Sequence, residues 1–187
     1  MYGPIPLEQA RDTRHVRTSA RSLPGADSTR AAQSALLHTV GMIRLGTSAD
    51  LAAATSVYRR ASLSNAGDRD NLLAHPEYLI LAPEGLAEGR THVAEEDGSL
   101  VGFATWIETV GTVELEDLFV DPGYMRRGIA TALVNRIADV LRARGAERLE
   151  VTANPDALGF YRAIGFIVCG AAETELGAAP RMVLAIS

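Results

Sequence analysis

One cysteine, Cys169, stands in a chain of 187 residues. It excludes an internal disulfide, and no Cys/His cluster has the spacing of a zinc site, so no metal is expected. Lysine is absent: all 18 basic residues are arginine, which reads as coding bias and assigns no function. No apolar run approaches the roughly 20 residues needed to cross a bilayer, and nothing resembles a secretory signal core. A reducing cytoplasm is the default address, with no membrane partner. Positive charge is also in deficit, at 18 basic against 23 acidic residues. Residues 1–40 hold five arginines against Glu8, Asp12 and Asp27, a net of +2, and the remainder sets 13 arginines against 20 acids, a net of −7. An acidic domain lacks the basic face that phosphate neutralisation requires, so nucleic acid is excluded as a partner. No G-x-G-x-x-G follows a strand, and three strand candidates in a row before Val120 do not make βαβ units, which excludes a dinucleotide-binding Rossmann fold.

What is present fits one globular domain, with 47% hydrophobic and 22% charged residues. Residues 1–40, rich in Arg, Ser, Ala and Pro, read as an N-terminal extension, flexible or partly helical; Glu8, Asp12 and Asp27 count against a transit peptide. Residues 41–187 form the domain. Met42–Leu45 reads as a short strand and Asp50–Arg60 as a helix capped by Thr47 or Ser48, with Leu51, Ala54, Val57 and Tyr58 at helical spacing. Asp68–Ala74 is a second helix, stopped before Pro76, and a turn follows near Pro83–Glu88. Thr91–Glu95 and Leu100–Ile107 flank Glu96-Asp97-Gly98-Ser99 as a hairpin, and Thr112–Val120 is a third strand. A long amphipathic helix then carries Ile129, Leu133, Ile137, Val140 and Leu141 on one face and stops at Gly145. Arg148–Thr152, the helix Pro155–Ile164, and the strands Phe166–Cys169 and Met182–Ile186 complete the order.

The segment Leu118-Phe119-Val120-Asp121-Pro122-Gly123-Tyr124-Met125-Arg126-Arg127-Gly128-Ile129-Ala130-Thr131 runs from strand end through a tight turn into a helix start. Backbone N–H groups and the helix dipole there make a phosphate site that needs no particular side chain. Gly128 and Ala130 let the backbone approach a pyrophosphate, and Arg126 and Arg127 place cations beside it. Further on, Asn154 precedes a helix carrying Phe160-Tyr161 and then Gly165-Phe166. Asn154-Pro155 is also a good helix start in its own right.

Together these two segments resemble the GNAT superfamily of N-acetyltransferases, whose acetyl-coenzyme A signature is Gln or Arg, two variable residues, Gly, any residue, then Gly or Ala. Gly128 and Ala130 match, Arg126 and Arg127 fill the variable pair, and Met125 departs at the Gln/Arg position. The resemblance implies an α/β (α+β) GNAT fold, a mixed, mostly antiparallel sheet of about seven strands flanked by about four helices. It also implies that Thr112–Val120 splays from the next strand and that the pantetheine arm of acetyl-coenzyme A lies between them as a missing strand. Leu118, Phe119, Val120, Met125, Arg126, Arg127, Gly128, Ile129, Ala130 and Thr131, with Asn154, Phe160 and Tyr161, would then hold the cosubstrate. The Asn154 side chain would meet the pantetheine and the Tyr161 hydroxyl the thioester sulfur.

The implied activity moves an acetyl group to a primary amine by direct transfer in a ternary complex. Tyr161 is the candidate acid, protonated at its ordinary pKa of about 10. Glu116 is the favoured base, then Glu114. Strand alternation places Glu114 and Glu116 on one face and Asp117 on the other unless a bulge intervenes. His75 and His92 are lesser options. Net acidity favours a cationic small-molecule amine as acceptor. A protein or peptide acetyltransferase and a non-catalytic acyl-coenzyme A-binding regulator remain alternatives, and a homodimer is compatible with all three.

Overall fold

The structure, a computed structural model, describes residues 41–65, 69–174 and 177–186; what was assigned to residues 1–40, and the boundary after them, lies outside these. The strands are β1 (Ile43–Leu45), β2 (Thr91–Glu96), β3 (Ser99–Thr109), β4 (Thr112–Val120), β5 (Arg148–Thr152), β6 (Ile167–Thr174) and β7 (Gly177–Ala185). The helices are α1 (Leu51–Ser62), α2 (Arg69–Ala74), α3 (Glu84–Ala87), α4 (Ile129–Ala143) and α5 (Leu158–Ala163). All seven strands form one sheet in the order β1-β2-β3-β4-β5-β7-β6. Every neighbouring pair is antiparallel except β4 with β5, which is parallel. This is the mixed α/β sheet that the sequence implied. Among the described residues no helix is long and apolar enough to cross a membrane.

Each face of the sheet has its own core. On one face α1 buries Ala54, Val57 and Ala61, at spacings of three and four, against Val93, Phe103 and Phe119. Its start is fixed by Asp50, whose carboxylate accepts from the Thr47 amide at 2.8 Å and the Thr47 hydroxyl at 3.1 Å, and which also pairs with Arg44 of β1 at 2.7 Å. These partners hold the Asp50 carboxyl far below its usual range, with the Arg44 hydrogen bond as the largest cause. On the other face α4 buries Ile129, Leu133, Val134, Ile137 and Leu141 over Ala104, Trp106, Leu115 and Leu118. Helix α4 stops where Gly145 takes a φ of 84°, a left-handed conformation that favours glycine.

Two segments differ from the sequence expectation. The turn at Pro83–Glu88 contains the single helical turn α3. The closing strands are longer than Phe166–Cys169 and Met182–Ile186: they run through Gly170 and Pro180, with Pro180 opposite Ala171 and a register shift between Val168 and Gly170. Ala, Gly and Pro have low strand propensity, so pairing across the sheet, and not local preference, sets these lengths.

Helix α3 seats its glycine directly on the sheet. A Cβ at Gly85 would lie 2.6 Å from Thr105 Cγ2 and 2.7 Å from Thr91 Oγ1, and these two buried threonines hydrogen-bond each other at 2.9 Å. Gly85→Ala should therefore destabilise the fold by about 1–3 kcal/mol, measured as a shift in the denaturant midpoint; an unchanged midpoint would show that α3 can lift off the sheet freely.

Candidate functional site: a slot in the sheet and the turn at its mouth

Strands β4 and β5 pair at one register position, Glu114 opposite Glu150. Beyond it no pairing follows, so the β5-facing backbone groups of β4 from Leu115 to Val120 have no strand partner, although β4 is paired with β3 from Thr112 to Val120 at every residue except Glu116. Buried or half-buried backbone polar groups are costly to leave unpaired, so this opening is a slot that an extended ligand can complete.

A bulge sits in the same stretch. Asp117 is opposite Thr105 and Leu115 opposite Trp106, leaving Glu116 as the extra residue. The expected alternation of Glu114 and Glu116 against Asp117 therefore does not hold. Leu115 and Leu118 pack under α4, and Phe119 packs on the α1 face, edge-on to Tyr58 with ring centroids 4.7 Å apart. Asp117 lies with Phe119 on the α1 side, where its charge raises the Tyr58 phenol's pKa to about 12 after burial, the larger cause. Glu116 feels the charges of Arg90, Glu114 and Glu84, and its carboxylate is 3.6 Å from Arg90 Nη1. The bulge thus gathers the three carboxylates of β4 toward one side. Glu114, 2% exposed, is committed to structure, accepting from Thr152 Oγ1 at 2.9 Å and Arg181 Nη1 at 3.1 Å. Burial pushes the Glu116 carboxyl up. Burial, and then the neighbouring Glu116, push Asp117 up to about 7.

At the slot's far end the chain turns into α4. Asp121 caps the turn by accepting from the Gly123 amide at 2.9 Å, and Arg60 of α1 holds the same carboxylate at 2.6 Å. Arg126 and Gly128 have φ of 62° and 83°. The first helical bond runs from the Ala132 amide to the Gly128 carbonyl at 2.9 Å, which leaves the amides of Ile129, Ala130 and Thr131 without intrahelical partners. A cavity of about 130 Å³ opens here, lined by Val120, Tyr124, Met125, Arg126, Gly128, Ile129, Ala130, Thr131 and Phe160. Eight of these nine were expected from sequence; Tyr124 was missed, its signal hidden in a Pro-Gly turn. Arg127 is engaged elsewhere, with Glu96 at 3.4 Å, the Gly123 carbonyl at 3.2 Å and the Tyr124 ring 4.9 Å from its Cζ. Asn154 caps the α5 turn by accepting from the Asp156 amide at 2.9 Å.

Tyr161 is 0% exposed, packed between Phe160 and Phe166, and its hydroxyl has no hydrogen-bond partner. Burial raises its pKa well above the ordinary phenol value, so it stays protonated, a donor without an acceptor. His92 lies buried on the α4 face, where burial and then Arg136 lower its pKa. His75 is exposed beside Glu77 at 3.1 Å. Neither histidine lines the cavity.

The class that the fold defines is an α/β protein with a mixed sheet that opens at its centre, beside a helix start whose first amides lack intrahelical partners. Residues 60–166 match the model of the Acetyltransferase (GNAT) family, and the chain belongs to that family. It is 42% identical over 90 residues to streptothricin acetyltransferase of Streptomyces lavendulae, covering 45% of this chain and 48% of that protein. It is 34% identical over 74 residues to the ribosomal protein bS18-alanine N-acetyltransferase of Escherichia coli K12, covering 38% and 50%. The chain thus spans about half the length of these two curated relatives. The PaiA N-acetyltransferase of Thermoplasma acidophilum, solved in complex with coenzyme A, shares the fold with a TM-score of 0.61 at 19% identity, covering 77% of this chain and 98% of that one.

Asp117 has a consequence for stability. Its pKa is about 7 in the fold against an ordinary 3.8, so between these values the folded state binds more protons than the unfolded one and stability falls as pH rises. Asp117→Asn removes that loss. It should match the wild type near pH 4 and exceed it by about 1–3 kcal/mol at pH 8, read from denaturant melts at both pH values. A pH-independent difference would mean that Asp117 titrates alike in the folded and unfolded states.

Proposed function

We propose that the protein is an acetyl-coenzyme A-dependent N-acetyltransferase acting on a small cationic amine. The observation that carries this is the unpaired edge of β4 running into the free amides of α4. An extended pantetheine with a pyrophosphate at its end matches that sequence of partners. Val120, Arg126, Gly128, Ile129, Ala130 and Thr131 would hold the pyrophosphate, with Met125 and Phe160 walling it. The β4 backbone around Leu118, Phe119 and Val120 would hold the arm, while Asn154 and Arg127, whose side chains bond the Asp156 amide and Glu96 in the fold, would have to turn to reach the ligand. Acetyl-coenzyme A supplies the activated acyl group.

The chain's own residues supply placement and protons. Tyr161 keeps its proton on a buried hydroxyl without an acceptor in the fold, and a protonated phenol is what donation to a departing thiolate requires. Glu116, raised by the bulge to the α1 side, receives the amine's proton directly or through water, and the adjoining Asp117 shares the local charge. Two carboxylates with raised pKa values favour a cationic acceptor, since its charge restores their ionisation. Relatives are named both for streptothricin and for a ribosomal protein; Glu116 and Asp117 on the α1 side and the chain's net charge of −5 support the small cation.

An amine library screened by release of free thiol identifies the acceptor, and an absence of turnover across it would favour a protein substrate or a binding role. On the acceptor found, Tyr161→Phe keeps the ring and its packing. Turnover should fall about 100- to 10,000-fold with little change in apparent KM. Full turnover in the variant would leave Tyr161 a core aromatic.

A further inference from the structure

Where the backbone ladder between β4 and β5 stops, a side-chain cluster takes over. Arg181 lies on β7, opposite Thr152 of β5. Its guanidinium reaches across β5 to β4: Nη1 donates to Glu114 Oε1 at 3.1 Å and Thr152 Oγ1 at 3.0 Å, and Nη2 donates to Glu150 Oε2 at 2.9 Å. Thr152 Oγ1 in turn donates to Glu114 Oε1 at 2.9 Å. Glu114 and Glu150 are the one pair of residues through which the two strands are in register. The cluster therefore ties three strands together at the last rung before the slot opens. Glu114 is buried and Arg181 is 22% exposed by side chain, so removing one partner would leave the other charge poorly solvated.

We infer that Arg181 is a positioning residue that fixes the width of the slot, and so selects for the pantetheine arm of the cosubstrate. The inference rests on the coenzyme reading above. The physical reason lies in the short overlap of the strands. One register position cannot hold two strands at a set angle, whereas a planar fork bonded to both strands and to the threonine between them can. The flanking contacts agree. The Ala153 amide, just beyond Thr152, bonds the Pro180 carbonyl at 2.8 Å, so β5 is held to β7 as β4 is held to β3, with one register position between the two pairs. Arg181 is the link from that rigid pair to β4. It also accounts for Glu114, which is bound up in the cluster and is thereby withdrawn as a base, leaving Glu116 and Asp117 beyond the clamp.

The prediction separates slot geometry from general stability by using two ligands. Coenzyme A needs both the slot and the α4 turn; 3′-phosphoadenosine 5′-diphosphate, its nucleotide half, needs only the turn. In Arg181→Gln the affinity for coenzyme A should fall at least tenfold, while that for the nucleotide half should stay within twofold. Because this substitution strands Glu114, a second variant, Glu114→Gln with Arg181→Met, removes both charges and should show the same selective loss. Arg181→Lys, which keeps the charge but loses the fork, should fold and lie between the wild type and these. Unchanged coenzyme A affinity in these variants, or equal weakening of both ligands, would overturn the clamp. A wild type that binds neither ligand would instead overturn the coenzyme reading itself, and the inference with it.

Discussion

Backbone hydrogen bonds in the middle of a sheet are ordinarily complete, and here they stop between β4 and β5 after a single register position. That interruption organises the rest of the molecule. The bulge at Glu116 bends β4 just past the last rung, and the strand's end feeds the turn that starts α4. The two halves of the sheet are then bridged by side chains, and by the cores above and below them. Leu115, Leu118 and Val120 share one apolar cluster under α4 with Leu149 and Val151 of β5, so apolar packing spans a gap that the backbone leaves open. Such an arrangement is stable without a ligand because burial is not directional, and receptive to one because hydrogen bonding is.

The electrostatics divide along the same line. At the mouth, helix-start amides and the exposed Arg126 face a cavity suited to an anion. On the α1 face, burial raises both Glu116 and Asp117, with Glu114 and Glu84 adding to Glu116 and Glu116 adding to Asp117. An anionic cosubstrate and a cationic acceptor would thus approach from differently charged sides. Arg60 of α1, held at 2.6 Å on the Asp121 cap, joins that helix to the turn that starts α4.

Much of this was legible in the residues. The Gly128–Ala130 turn and the Phe160-Tyr161 helix carry local signals, since a left-handed glycine and a helix start are short-range features. The amphipathic period of α4 and the alternation of β2 to β4 are equally local. What escaped is non-local. The bulge at Glu116 depends on the register with β3, which sequence spacing cannot reveal, and it brings Asp117 to the side of Glu114 and Glu116. Arg181 acquires its part only when β7 lands beside β5, with Glu114 67 positions away in sequence. The extent of β6 and β7 was hidden for the same reason, since Gly170 and Pro180 argue against strands until their neighbours impose them. Arg127 read as a phosphate ligand from its place in the motif, yet its fork is turned to Glu96 and the Gly123 carbonyl.

The central claim is that the unpaired edge of β4 is completed by a bound coenzyme. Hydrogen exchange followed by mass spectrometry, with and without saturating coenzyme A, tests it on the unmodified protein. Peptides spanning Leu115–Val120 and the start of α4 at Ile129–Thr131 should exchange at least about tenfold more slowly with ligand present, because amides that now face the slot would gain acceptors. Those of β1 and β6, at the two outer edges of the sheet, should be unaffected. Binding of coenzyme A with no protection in Leu115–Val120, or with protection confined to the outer strands, would contradict the account.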